Sequence, residues 1–393
     1  MRILMWADGG CSTGFGTVTD NLARRWAASG HDVHILAINY LGDPWEAPYK
    51  LYMPRKYNPQ DFMGMTRLKE LVDKLQPDIL WIMNDLNVIL EGLKVFGGTF
   101  PVPTMIYTPI DGDHLPKDWF LAAKAADKVV AYTKFGQDVL KREGNIDSDV
   151  VYHGIEHETF WRVSEEKPLH VLEKVYTNKE DLKEAFGLSG RFVVFAINRN
   201  SMRKNYPDTF RVFNEFRKRH DDALLLIHAV QYDEGGNLGD LVDRYDLKPY
   251  VRISDPKDTF MGMPKEILTA YYNLADVKLS TSMGEGFGLT DAEAIACGCP
   301  VIAQDWSATS EVVGDAGILV KPHRRFTTAR MVDFMLPDLK GFEHALERLY
   351  KNVGLRQKLS DNGIMQAARF DWDEAAREFE WRMLEMVHNR EAG

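Results

Sequence analysis

Ser280–Pro300 reads STSMGEGFGLTDAEAIACGCP. An aliphatic run, DVKLST (Asp276–Thr281), leads into it, and a short helical pattern closed by Gly298 leads out. Strand, glycine turn and helix in that order present a helix N-terminus to whatever lies beyond the sheet. The N–H groups of Gly288, Leu289 and Thr290 lack intrahelical partners and sit at the positive end of the helix, where a diphosphate is well placed. Two acids bracket this turn. Glu293 lies on the helix among Ala292, Ala294, Ile295 and Ala296, where a carboxylate accepting two hydrogen bonds suits a vicinal diol such as a ribose. Glu285, before the turn, is placed to meet hydroxyls at the other end of the same ligand. The plainer alternative is that Glu293 only favours the early helix and Glu285 is solvent-exposed; the apolar neighbours of Glu293 argue against it.

Outward from this stretch, short aliphatic runs alternate with amphipathic helical patterns. The first half contains RILMWA, DVHILAI, DILWIM, PTMIYT, KVVAYT and DVVYH; the second contains RFVVFAI, ALLLIHA, YVRIS, DVKLST, PVIAQD and GILV. Such alternation implies βαβ units and parallel sheets covered on both faces. The charged interval around residues 166–189 breaks the series. The expected organisation is therefore α/β, with two Rossmann-like domains facing a central cleft: residues 1–165, a connection at 166–189 with one or two helices, and residues 190–370. FDWDEAAREFEWRMLEMV (Phe370–Val387) has apolar residues at helical spacing, and a terminal amphipathic helix is expected over about 372–393.

Composition narrows the function classes. The 393 residues exceed one ordinary core, and 45% hydrophobic with 27% charged residues is globular. The formal net charge of −10 opposes general nucleic-acid binding by counterion release, although a local basic groove is compatible with it. Cys11, Cys297 and Cys299 form neither a disulfide framework nor a zinc-type pair. A reducing cytoplasm is expected, with peripheral membrane contact left open: MRILMWA enters a strand without a signal-peptide pattern, and no apolar run approaches the roughly 20 residues of a membrane span.

Ligands in sheets of this kind bind beyond the carboxyl ends of the strands. In the first domain, ADGGCSTGFG brings Gly14 and Gly16 to a strand–helix turn, where backbone can approach a phosphate. An ordinary glycine-rich turn explains them as well. The GxGxxG fingerprint fails, and the second strand ends on Asn39 rather than an acid, which weakens a nicotinamide-dehydrogenase reading. PIDGDHLP (Pro109–Pro116) offers Asp111, Asp113 and His114. These are site candidates or turn formers in equal measure. In the second domain, Arg199, Arg203 and Lys204 follow the first strand in INRNSMRKN, where cations suit a diphosphate; taken alone, a solvated basic loop continuing into RKRH on the next helix is the stronger reading.

Glu285 and Glu293, with seven residues between them in EGFGLTDAE, resemble the E-x7-E motif of retaining GT-B glycosyltransferases, especially family four. AIACGCPVIAQDWSATSEVVGDAGILVKP is similar to that family's usual continuation, VYHGIEHETF to its HGvD…F segment, and FDWDEAA to its C-terminal helix, which crosses back to the first domain. INRNSMRKN is similar to the basic diphosphate loop. The resemblance covers nearly the whole chain. It implies a metal-independent enzyme without cofactor that moves a sugar from a UDP- or GDP-sugar to a hydroxyl acceptor, retaining configuration by front-face attack. By position, it implies that Arg199 and Lys204 neutralise the diphosphate and that Gly286, Phe287, Gly288, Leu289 and Thr290 cradle it or the sugar. Glu285 would contact the transferred sugar and Glu293 the ribose, while Gly14 and Gly16 would approach the donor. The base would lie near Val251 to Ser254, with Ile253 as its contact, and the following DPKDTF. Many members carry a first-domain histidine against the donor sugar; here Asp111, Asp113 and His114 all remain candidates. A saccharide or small molecule is the expected acceptor, with a hydroxylated nucleobase in DNA less favoured by the charge. A non-catalytic nucleotide-sugar-binding protein on the same fold is the alternative from another class. The stretch at 323–341 is longer than usual and has no assigned role.

Overall fold

The computed structural model describes residues 1–55, 58–254 and 262–392. The chain divides into two compact units. One comprises Met1–Gly154, Ala329–Val332 and Asp371–Gly393; the other comprises Ile155–Thr328 and Asp333–Phe370. Among the described residues, no helix is long and apolar enough to cross a membrane.

In the first unit seven strands form one parallel sheet, ordered β3-β2-β1-β4-β5-β6-β7. These are β1 (Arg2–Asp8), β2 (Asp32–Ile38), β3 (Lys50–Tyr52), β4 (Ile79–Met83), β5 (Thr104–Thr108), β6 (Lys128–Ala131) and β7 (Asp149–Val150). The register sets Met5 opposite Ile35 on one side and Trp81 on the other. Ile3 to Ala7 are fully buried, as a strand covered on both faces requires. Order reverses between β1 and β4, the usual place for a ligand in such a sheet.

The terminal helix Trp372–Ala392 belongs to this first unit. Fully buried Phe379 packs against Trp26, Trp81 and Tyr107 at ring distances of 6.1, 5.8 and 4.7 Å. Trp26 Nε1 donates to the Ala376 carbonyl (3.1 Å), and Arg382 pairs with Asp149 (2.8 Å). Gly154 passes so close to Trp372 that a Cβ there would strike its backbone nitrogen and ring. The expected return of the C-terminal helix to the first domain is thus realised by aromatic packing.

The second unit repeats the topology. Its six-stranded parallel sheet runs β14-β11-β10-β15-β16-β17, with β10 (Phe192–Ile197), β11 (Ala223–His228), β14 (Val251–Ile253), β15 (Val277–Leu279), β16 (Val301–Gln304) and β17 (Gly317–Val320). The reversal falls between β10 and β15, so the loops after Ile197 and Leu279 leave the sheet side by side. Phe210, Phe213 and Phe216, on the helix Tyr206–Arg217, fill the core beside Val194, Leu225 and Leu346. Among the described residues, this unit also holds three small antiparallel pairs: β8 (Leu169–Val171) with β9 (Lys174–Tyr176), β12 (Tyr232–Asp233) with β13 (Gly236–Asn237), and β18 (Arg324–Thr327) with β19 (Asp333–Leu336).

The boundary between units falls after Gly154, upstream of the 165 read from sequence. Polar ties explain the difference. Asn273 donates to the Trp161 carbonyl (2.9 Å) and accepts from the Val163 N–H (2.8 Å), and Thr269 Oγ1 donates to the Thr159 carbonyl (2.8 Å). The interval expected as a connection with one or two helices holds β8, β9 and one helix, Lys179–Ala185, all within the second unit.

Candidate active site

The turn Ser280–Glu285 is fastened on both sides. Toward the loop after β10, the Met283 N–H donates to the Arg203 carbonyl (2.8 Å) and Thr281 Oγ1 to the Asn205 carbonyl (2.9 Å). Toward β16, the Gln304 amide donates to the carbonyls of Ser282 (2.6 Å) and Met335 (2.9 Å), and the Glu285 N–H donates to Ser307 Oγ (2.9 Å). The Met335 N–H in turn bonds the Met283 carbonyl (3.0 Å), tying the β18–β19 pair to this turn.

This framework delivers Glu285 to Lys204. The lysine ammonium lies 2.6 and 2.7 Å from the two carboxylate oxygens, and Arg203 Nη1 lies 3.2 Å from one of them. Arg203 also donates to the Gly284 carbonyl. Glu285 is 4% exposed, so a solvent-exposed Glu285 is excluded. Burial pushes its carboxyl up, but Lys204 and then Arg203 more than offset that and hold it at about 2. Burial likewise lowers the Lys204 pKa, against the pull of Glu285. A fixed carboxylate with partly buried cations beside it can bind hydroxyls, and the cations can offset charge on a leaving group.

The helix Leu289–Ala296 follows from Gly288, whose φ of +98° places it in the left-handed region that favours glycine. Its first turn is anchored from below. Asp291 forms an ion pair with Lys278 of β15, and both side chains are buried to within 1%. Glu293 sits one turn on and is half-buried. Tyr272 Oη donates to it at 2.7 Å. Burial pushes the Glu293 carboxyl up to about 7; the Tyr272 hydroxyl opposes this, and Glu156 reinforces it.

Arg199 does not join the Lys204–Glu285 cluster. Its guanidinium takes Asp233 through Nε (2.8 Å) and Nη2 (3.2 Å), and Nη2 also reaches Glu234 at 3.1 Å. Ile253 ends β14 half-buried, next to Ser254, whose hydroxyl lies 2.9 Å from His228 Nδ1. The following Asp255–Phe260, where sequence reasoning extended the base site, falls outside the described residues.

In the first unit, Gly14 and Gly16 open the helix Gly14–Ala28. Thr13 Oγ1 accepts from the Gly16 N–H (2.9 Å) and donates to Asp8 (2.6 Å); a Cβ on Gly16 would strike the Cys11 carbonyl. The turn therefore needs glycine at 16 for its own closure. Asp111, Asp113 and His114 follow β5 on one loop. Asp113 is buried and lies 3.2 Å from His114 Nδ1, while the Glu143 carboxylate accepts the backbone N–H groups of His114 (3.0 Å) and Leu115 (2.9 Å).

Sequence reasoning left several of these residues without a role. Arg203 is expected from sequence only among the cations suited to a diphosphate and not as a partner of Glu285, while Asp233, Glu234, Tyr272, Lys278, Asp291 and Ser307 have no expected role. A signal existed for two of them: a lysine inside the apolar DVKLST run and an aspartate in the apolar helix beyond it each require a buried partner.

Two family models match the chain. Glycosyltransferase Family 4 covers residues 12–159, and Glycosyl transferases group 1 covers residues 191–352. Among curated relatives, the serotype-specific mannosyltransferase WbdA of Escherichia coli is 23% identical over 281 residues, which is 70% of this chain and 29% of that protein. A D-inositol 3-phosphate glycosyltransferase of Streptomyces bingchenggensis is 36% identical over 111 residues, 28% of this chain and 21% of that protein. The chain thus spans less than a third of the length of either relative. Among solved structures, sucrose-phosphate synthase of Thermosynechococcus elongatus superimposes with a TM-score of 0.76 at 18% identity, covering 99% of this chain and 100% of that one. Anabaena HepE, solved with UDP and glucose, gives 0.71 at 16%, covering 98% and 100%. At such identity the likeness speaks for the fold, which is GT-B.

Proposed function

We propose that the chain, which carries a Glycosyltransferase Family 4 domain and a Glycosyl transferases group 1 domain, transfers a sugar from a nucleoside diphosphate sugar to a hydroxyl acceptor with retention of configuration and without a metal. The observation that carries this reading is the Lys204–Arg203–Glu285 cluster at the strand-order reversal of the second sheet, just ahead of the helix start at Leu289. The donor is a UDP- or GDP-sugar; a related structure holds UDP and glucose, and a relative is a mannosyltransferase. The acceptor is a saccharide or small molecule.

In this reading Glu285 holds hydroxyls of the transferred sugar, and Glu293 with Tyr272 holds the ribose diol. Lys204, Arg199 and the N–H groups of Gly288 to Thr290 face the diphosphate. As the bond from the anomeric carbon to the phosphate oxygen breaks, negative charge grows on the leaving phosphate. Cations and a helix N-terminus already in place stabilise that charge without reorganising. The acceptor hydroxyl bonds the anomeric carbon from the same face, and its proton passes to the departing phosphate oxygen. Asp111, Asp113 and His114 are the first-unit candidates for contact with the sugar.

Slow donor hydrolysis followed by proton NMR tests this. The first-formed sugar is expected to keep the donor's anomeric configuration, and Glu285→Ala to lose turnover while still binding the nucleoside diphosphate. An inverted product would refute retention. Absence of turnover across a broad donor and acceptor panel would instead favour a binding protein on this fold.

A further inference from the structure

Around the ends of β10 and β15, three cations face three carboxylates: Arg199, Arg203 and Lys204 against Asp233, Glu234 and Glu285. The formal charges cancel, so an arriving anion meets no free cation in this set. The pairs differ in how firmly they are held. Lys204 and Glu285 have side chains only 13% and 5% exposed, whereas Arg199 is 62% exposed and its partners Asp233 and Glu234 are 22% and 63% exposed. Exposed ion pairs are weak and exchange partners readily, and buried ones do not.

The loose pair is nevertheless built into the fold. Asp233 and Glu234 sit on the β12–β13 hairpin, which is stapled to the residue next to Arg199. Asn200 is fully buried; its side-chain amide donates to the Gly236 carbonyl (2.8 Å), and its own carbonyl accepts the Gly235 N–H (2.8 Å). A Cβ at Gly235 would strike Asn200, so glycine is required for that approach. The Asp233 carboxylate is aimed by the Glu234 N–H (2.8 Å) and meets the arginine fork through two nitrogens, the geometry in which a phosphate would also bind arginine.

We infer that Asp233 and Glu234 form an electrostatic latch that competes with the diphosphate of the donor for Arg199. Donor binding is then an exchange of partners: the diphosphate takes Arg199, and the two carboxylates turn to water. After transfer, the same carboxylates reclaim Arg199 and speed release of the nucleoside diphosphate. This inference rests on the reading of Arg199 as a diphosphate cation.

The test is calorimetric titration of UDP, GDP, inorganic pyrophosphate, uridine and guanosine at low salt. The proteins are wild type, Asp233→Asn, Asp233→Asn/Glu234→Gln, Arg199→Ala and the triple variant, with far-UV circular dichroism as the check on folding. The double variant is expected to bind pyrophosphate and whichever nucleoside diphosphate binds wild type about three- to tenfold more tightly. Its affinity for the matching nucleoside stays unchanged, Asp233→Asn gives part of the gain, and the triple variant binds no better than Arg199→Ala. Unchanged or weaker diphosphate binding in the double variant would overturn the latch, as would a gain that survives loss of Arg199. Failure of UDP, GDP and pyrophosphate alike to bind wild type would overturn the diphosphate reading and the latch with it.

Discussion

Glu293→Gln separates what this residue does for a ligand from what it does to the fold. Burial pushes the Glu293 carboxyl up to about 7 from an ordinary 4.5. Between those values the unfolded carboxyl is ionised while the folded one keeps its proton. The folded state therefore holds the extra proton, and stability falls as pH rises through that window, with the loss complete above about 7. At about 1.4 kcal/mol per unit, the gap amounts to about 3 kcal/mol at most. Glutamine keeps the shape, carries no charge and still offers Tyr272 Oη an acceptor oxygen. Urea unfolding at pH 8 is expected to show Glu293→Gln about 1–3 kcal/mol more stable than wild type, with the difference vanishing near pH 4.5. The same variant is expected to bind its nucleoside diphosphate about tenfold more weakly, since the amide has one acceptor oxygen where the carboxylate has two. A variant less stable than wild type at pH 8, or a pH dependence identical in the two proteins, would refute this account of Glu293.

Three further substitutions test the framework. Lys204→Met leaves the buried Glu285 carboxylate without its main partner and is expected to cost about 3–5 kcal/mol in chemical unfolding. In wild type the Glu285 contribution is present above about 4.5 and fades as pH falls toward about 2; in the variant that acid-side fade disappears. Lys278→Met orphans Asp291 at a similar cost of about 3–5 kcal/mol, and adding Asp291→Leu recovers most of it, because a buried ion pair tolerates apolar replacement better than loss of one member. Phe379→Ala empties the aromatic seat of the terminal helix for about 3–5 kcal/mol, with the midpoint of the first unit falling in calorimetry while that of the second holds.

The fold was legible because its signal is local. Runs such as ILMWA and FVVFAI are apolar throughout, as strands buried on both faces must be, and Gly288 and Gly298 mark the limits of the helix that follows the glycine turn. The candidate site was legible one residue at a time but not as a set of pairs. Lys204 and Glu285 stand 81 positions apart and meet because β10 and β15 are neighbours in the sheet, which no spacing along the chain records. The same holds for Arg199, whose partners Asp233 and Glu234 lie on a two-residue-per-strand hairpin too short to leave a strand pattern. The boundary near residue 165 was displaced for a related reason: side-chain bonds from Thr269 and Asn273 claim Thr159, Trp161 and Val163 for the second unit, and such ties have no periodicity. Gly16 carries a double meaning that sequence alone leaves open, since closure of its turn already requires a glycine.

Whether the Lys204–Glu285 cluster and the helix start beyond it receive a nucleoside diphosphate sugar is decided by a thermal-shift titration of wild type and Lys204→Ala with UDP-sugars, GDP-sugars and NAD. At least one of the nucleoside diphosphate sugars is expected to raise the wild-type melting temperature, with the rise reduced or lost in Lys204→Ala and no response to NAD. Stabilisation by NAD alone, or an equal rise in both proteins, would show that this cluster does not hold such a donor.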